Sequence, residues 1–279
     1  MKIGFIGGGN MAQAIAGGWL ARGAAPQEIR AIEPFEATRA FWSARSMPAF
    51  PAFDASMLDC EVLVLAVKPQ SMAEALAPFK GRLGQQVVLS IAAGIRVDDI
   101  ACQLGLAGAP YANVVRAMPN TPALAGAGIS GFYAQPGVSP ENRNKAESVL
   151  RAVGKTAWFE NESLLDAVTA VSGSGPAYVF YFIEALEQAA RELGMDAATA
   201  RLFATETFLG GAKLAAQSEE PAALLRARVT SKRGTTERAI ETFDAAHLKQ
   251  RFVEGVHAAC ARAAELGNEL AMDKESKNP

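Results

Sequence analysis

Gly7, Gly9 and Ala12 form a Gly-x-Gly-x-x-Ala pattern between the apolar run Ile3-Gly4-Phe5-Ile6 and an alanine-rich stretch with helical spacing. In a strand–turn–helix setting the first glycine permits a tight turn and the second lets backbone approach a pyrophosphate. The third small residue allows the helix to pack closely on the strand. The helix N-terminus then offers unpaired N–H groups to the anion. Alone, such a loop is common and weakly informative. Its place at the first βα turn, with Glu33 closing the next strand, strengthens the dinucleotide reading. A carboxylate about 20 residues past the loop accepts hydrogen bonds from the adenosine ribose and repels a 2′-phosphate, so Glu33 favours NADH over NADPH. Arg30 and Arg39 lie close enough in sequence to offset that charge, and a merely solvated strand-end carboxylate is the competing explanation. The expected cofactor contacts are Ile6, Gly7, Gly8, Gly9, Asn10, Met11 and Glu33, joined by Ala66, Val67, Lys68, Pro69, Ala92 and Ala93 at two later strand ends.

The elements that must position these residues follow an alternating grammar. Short β-branched runs at 2–6, 28–33, 61–67, 86–92, 112–117, 128–134 and 155–159 read as strands. Helical patterns at 10–21, 34–44, 71–80, 97–104 and 139–152 lie among them. Alternation of this kind indicates βαβ units in a mostly parallel sheet, and right-handed crossovers favour a doubly wound, Rossmann-type layout. After about Glu162 only helical signals remain. Pro176 suits a first helical turn and Gly194 a stop, Asp196 suits an N-cap, and further helices fit 221–229 and 235–270. The expected organisation is α/β: a dinucleotide-binding domain over 1–161, an all-α dimerisation and substrate domain over 162–270, and a polar tail over 271–279 that frays. The run Tyr178-Val179-Phe180-Tyr181-Phe182-Ile183 is apolar nearly all round its helix, so part of the helical half is expected to meet another subunit.

Composition narrows the chemistry. Half of the 279 residues are hydrophobic and a fifth are charged, which suits packed cores rather than disorder. A net charge of −2 speaks against a broad nucleic-acid surface. The three cysteines, Cys60, Cys102 and Cys260, fit no zinc pattern and point to a reducing cytoplasm. His247 and His257 are the whole imidazole supply and would face opposite sides of one continuous helix, so no metal site is expected. No signal-peptide pattern opens the chain, and no run approaches the roughly 18 apolar residues of a membrane span.

Several segments together resemble the Δ1-pyrroline-5-carboxylate reductases: 3–12, 66–70, 90–95, 116–123, 166–180 and 229–236. Most specific are Arg116-Ala117-Met118-Pro119-Asn120-Thr121-Pro122-Ala123 and the run from Asp166 through Ser172-Gly173-Ser174-Gly175-Pro176-Ala177-Tyr178. The resemblance implies reduction of 1-pyrroline-5-carboxylate to L-proline by hydride transfer from NADH or NADPH, the last step of proline synthesis. It implies a homodimer of interleaved C-terminal helices, often assembled further into rings such as decamers; the charge and the lack of a long apolar run already speak against nucleic-acid and membrane partners. By position, Ser231, Gly234, Thr235 and Thr236 match the family's substrate loop. That match implies that the loop binds the carboxylate and that Ser231 and Thr236 carry the catalytic hydroxyls, with Thr236 at the ring nitrogen. Without the family match, 231–236 reads as an ordinary loop and helix cap.

Two departures from the family stand out. Its usual Ser-Pro-Gly-Gly-Thr-Thr is replaced by Ser231-Lys232-Arg233-Gly234-Thr235-Thr236, and a position 233 that required positive φ would cost Arg233 about 1–2 kcal/mol. Many NADPH-using relatives carry a small hydroxyl residue where Glu33 stands and an asparagine near where Phe53 stands, so both changes point again to NADH. The competing functions are a reductase of another cyclic imine acid and a dinucleotide-binding regulator that has lost catalysis.

Overall fold

The structure is a computed structural model that describes residues 1–275, with side chains described through Glu269. It divides into two compact units, one of Met1–Gly173 together with the chain from Ala259 onward, the other Ser174–Ala258.

The first unit is built on eight strands, β1 (Ile3–Ile6), β2 (Ile29–Ile32), β3 (Ala49–Phe50), β4 (Val62–Leu65), β5 (Val87–Ser90), β6 (Val114–Met118), β7 (Gly128–Ala134) and β8 (Gly154–Trp158). Its helices include α1 (Asn10–Ala21), α2 (Glu36–Ser43), α3 (Met72–Leu76), α4 (Val97–Leu104), α5 (Pro140–Arg151) and α6 (Leu164–Val168). The sheet order is β3-β2-β1-β4-β5-β6-β7-β8. Strands β1 to β6 run parallel, giving the doubly wound arrangement whose direction reverses between β1 and β4. Strand β7 turns antiparallel to β6, and β8 follows β7 in parallel. The connection 119–127 is too short for a parallel crossover, which takes about a dozen residues or more.

Every residue of β1, β4 and β5 is buried, as continuous apolar strands covered on both faces must be. Alternation then sorts their side chains into two cores. Phe5, Val64 and Leu89 join Ile15 and Trp42 on one face, while Ile6, Leu65 and Val88 join Met72, Phe79 and Ile100 on the other. Boundaries of α1, α4 and β7 coincide with the sequence expectation; the two-residue edge strand β3 carries too little pattern to be read from sequence.

Helix α6 runs into a π turn, Thr169–Gly173, where the first unit hands over to the second. The second unit holds α7 (Gly175–Glu192), α8 (Ala197–Gln217), α9 (Ala222–Arg228), α10 (Thr235–Ala245) and the start of α11 (Leu248–Glu275). Asp196 caps α8 by accepting the N–H groups of Ala198 and Thr199 at 3.0 and 3.1 Å. The helical pattern expected over 235–270 is broken between α10 and α11, where His247 takes a left-handed φ of 53°. That histidine therefore precedes α11 instead of sharing one continuous helix with His257. Helix α11 continues through Glu275, into the stretch expected to fray; Ser276 to Pro279 lie outside the described residues.

Within the second unit Tyr178 and Phe182 pack on Phe252, with ring centroids 5.7 and 5.6 Å apart. Much of the remaining apolar surface is open: Phe180 is 65% and Tyr181 69% exposed. A helical hairpin that leaves such rings in water has not completed its core within one chain. Among the described residues, no helix is long and apolar enough to cross a membrane, and no group of His, Cys, Asp and Glu could hold a metal ion.

Candidate active site

The reversal of strand order opens a crevice at the carboxyl ends of β1 and β4, and the glycine loop fills its floor. Gly7 takes φ 96°, and a Cβ there would lie 2.7 Å from the Ala66 carbonyl oxygen. Its N–H donates to Ile32 while Ala66 N–H donates to Ile6, so the loop is stitched to both neighbouring strands. Gly8 is equally confined, since a Cβ would meet Trp42 Nε1 at 2.7 Å and Glu33 Cβ at 2.9 Å. Gly9 differs. It is the N-cap of α1, no atom beyond its own chain neighbours lies within 4 Å of the position its Cβ would take, and no side chain caps the helix. The open space thus lies where helix N–H groups can take an anion. Ala12 is 1% exposed, one turn into the helix that packs on the sheet.

Glu33 is buried beside this loop at 6% exposure. Its carboxylate accepts N–H bonds from Gly8 and Phe35, each at 2.9 Å, so it helps hold the loop as well as bringing negative charge to it. The two nearby arginines do not neutralise that carboxylate by direct pairing. Arg39 donates to the carbonyls of Glu33 and Pro34, and Arg30 to those of Ser56 and Gln27. Trp42 Nε1 and Gln13 Nε2 both donate to the Gly8 carbonyl, completing the buried support.

Beyond the loop lies a cleft of about 260 Å³ lined by Met11, Ala66, Val67 and Ile91 from the glycine helix and strand ends, by residues 118–121, and by Gly173. The structure therefore brings Met11, Ala66 and Val67 together, as the sequence suggests. Pro69 and Ala93 instead line a neighbouring cavity of about 300 Å³ with Gln70, Gly94, Asp166 and Thr169. Lys68 is exposed, and Ala92 is buried in the core under this region.

Sequence reading assigns no role to a buried polar group whose member Asp166 lines the neighbouring cavity. Arg116, 2% exposed on β6, contacts Glu162 at 2.9 Å and Asp166 at 3.7 Å. Arg96 reaches Asp166 at 3.0 Å, and Val97 N–H donates to Glu162 at 3.0 Å. These bonds join β6, the segment leading into α4, and the approach to α6. A further polar residue, Asn120, is 8% exposed and bonds Ser172 and the Ile129 N–H. Such partners stand far apart in the chain, so residue spacing carries no signal of them.

The remaining expected site residues belong to the second unit. Ser231 and Thr235 are exposed and Thr236 is half-buried, at the start of α10. Arg233 takes φ 60°, the left-handed conformation in which a side chain costs energy and glycine does not. Its N–H donates to the Glu237 carboxylate in the first turn of α10, which holds the turn closed. Gly234 is the N-cap and donates to the Ser231 carbonyl; a Cβ on it would lie 2.9 Å from that carbonyl oxygen, a backbone atom that cannot turn aside, as well as 2.5 Å from Ser231 Oγ. The glycine is therefore a steric requirement of this loop.

The pyrroline-5-carboxylate reductase dimerisation family matches residues 162–266, and the family described as NADP oxidoreductase, coenzyme F420-dependent, matches residues 2–94. The pyrroline-5-carboxylate reductase of Pseudomonas aeruginosa is 41% identical over 275 residues, covering 97% of this chain and 98% of that protein. The solved pyrroline-5-carboxylate reductase of Coxiella burnetii is 38% identical with a TM-score of 0.88, over 95% of this chain and 98% of that one. The pyrroline carboxylate reductase of Plasmodium falciparum, solved with NADP bound, is 25% identical with a TM-score of 0.82, over 96% and 98% of the two chains. Likeness of this degree along nearly the whole length of both partners places this protein in the pyrroline-5-carboxylate reductase family.

Proposed function

We propose that this protein reduces 1-pyrroline-5-carboxylate to L-proline with NAD(P)H, the final step of proline biosynthesis. The observation that carries the reading is the cradle at Gly9, an uncapped helix start facing open space beside a strand-end cleft. Ile6, Gly7, Gly8, Gly9, Asn10 and Met11 hold the dinucleotide, with Ala66, Val67, Lys68, Pro69, Ala92 and Ala93 along the strand ends. When bound, the reduced nicotinamide supplies a hydride to the C=N carbon of the imine. The chain's own residues do the positioning. The N–H groups of Thr235 and Thr236 take the substrate carboxylate with the Ser231 hydroxyl, while Gly234, whose own N–H goes to the Ser231 carbonyl, closes the backbone of the loop around it. The Thr236 hydroxyl tracks the proton on the ring nitrogen. A protonated imine is already electrophilic, so alignment contributes more than a strong base would, and no histidine is required. Lys232 and Arg233 add positive charge that attracts the anionic substrate.

Glu33 supports a preference for NADH, because a 2′-phosphate brought to the ribose position would meet its buried carboxylate. The exposed apolar helices support a homodimer, and the resemblance to the family implies its further assembly into a ring such as a decamer. A cytoplasmic location without nucleic-acid or membrane partners fits the composition. Steady-state reduction of pyrroline-5-carboxylate with each dinucleotide tests both claims. Protein that binds dinucleotide but cannot oxidise it with this imine refutes the activity, and much higher efficiency with NADPH refutes the preference. Thr236→Ala is expected to lower turnover while dinucleotide binding and melting temperature hold; parallel loss of stability would make Thr236 a structural cap.

A further inference from the structure

Ser172 sits in the π turn that precedes α7, and in an uninterrupted α-helix its carbonyl would accept the N–H four residues on. That residue is Pro176, which has no N–H. Asn120 supplies a donor from elsewhere in the chain: its Nδ2 reaches the Ser172 carbonyl at 3.1 Å. Its Oδ1 accepts the N–H of Ile129 at 3.0 Å, which fixes the orientation of the amide and ties it to β7. Asn120 itself lines the cleft with Met118 and Gly173, and a Cβ on Gly173 would lie 2.7 Å from Met118 Cε. The turn therefore forms a wall of the cleft, and the Asn120 amide holds that wall. Single π turns recur at functional sites because they displace a few residues of a helix without ending it.

We propose that Asn120 is a positioning residue for hydride transfer, holding the π turn so that Gly173 and Met118 bound the place of the nicotinamide ring. This rests on the reductase reading above. Asn120→Ala and Asn120→Asp both remove the donor, and Asp keeps the acceptor for Ile129. The expected result for either variant is dinucleotide affinity close to wild type with kcat lowered about 10- to 100-fold, the scale of a misaligned reacting pair. The primary isotope effect with NADH deuterated at the transferred position should rise as hydride transfer becomes rate-limiting. Adding Pro176→Ala returns an N–H to the helix, so the double variant should recover melting temperature but not kcat. Unchanged kcat and isotope effect in both single variants overturn the proposal. Recovery of kcat in step with melting temperature also overturns it, since the role would then be structural alone. A wild-type protein unable to reduce the imine overturns the functional reading itself, whereas active wild type with equally active variants overturns only this inference.

Discussion

Replacing Arg116 by leucine removes the central cation of a buried ionic group while keeping an apolar stem on β6. The Arg116 side chain is 2% exposed, and its partners Glu162 and Asp166 are 16% and 8% exposed. Removing one member of a buried pair costs about 3–5 kcal/mol, because the remaining charge is left desolvated. Here each carboxylate keeps another partner, Arg96 for Asp166 and the Val97 N–H for Glu162, so the low end of about 3 kcal/mol applies. At about 2–4 °C per kcal/mol for a domain of this size, melting should fall by about 6–12 °C. The measurement is calorimetric unfolding at matched protein concentration, since association of subunits shifts the midpoint by mass action. Arg116→Lys should lose less, retaining the charge without the fork. Glu162→Gln in the Arg116→Leu background should add less than it does alone, because the two act through one bond. A drop below about 2 °C, or strict additivity of the two substitutions, would refute the account of Arg116 as the keystone of this group.

Three further outcomes are expected. Gly8→Ala should destabilise the fold by about 1–3 kcal/mol, as its Cβ meets the fully buried Trp42; Gly9→Ala, facing open space, should leave melting unchanged and weaken dinucleotide binding in a fluorescence titration. Arg233→Gly relieves a left-handed side chain worth about 1–2 kcal/mol and gives back about 0.5–1 kcal/mol as chain entropy, so urea unfolding should show a small gain and a loss would contradict it. Burial pushes the Cys60 thiol up to about 11, whereas Cys102 is exposed, so iodoacetamide followed by mass spectrometry should label Cys102 and spare Cys60 until unfolding.

Local features of this protein were legible in its residues. Gly7, Gly9 and Ala12 announced a strand–turn–helix, alternation of buried strands with helices announced the doubly wound sheet, and Asp196 announced a helix cap. Even the backbone at Arg233 was foreseeable, since the family resemblance marks that place as a glycine's. Each of these depends on neighbours within a turn or two, or on a periodicity that one element carries in full. Tertiary structure decided the rest. It turned β7 against β6, because a short connection leaves no room to cross over. It set Glu33 under Gly8, gathered Arg96, Arg116, Glu162 and Asp166 into one ionic group, and brought Asn120 to a carbonyl that Pro176 cannot serve. Those bonds join residues tens of positions apart, and burial makes each polar group find a partner wherever the fold places one.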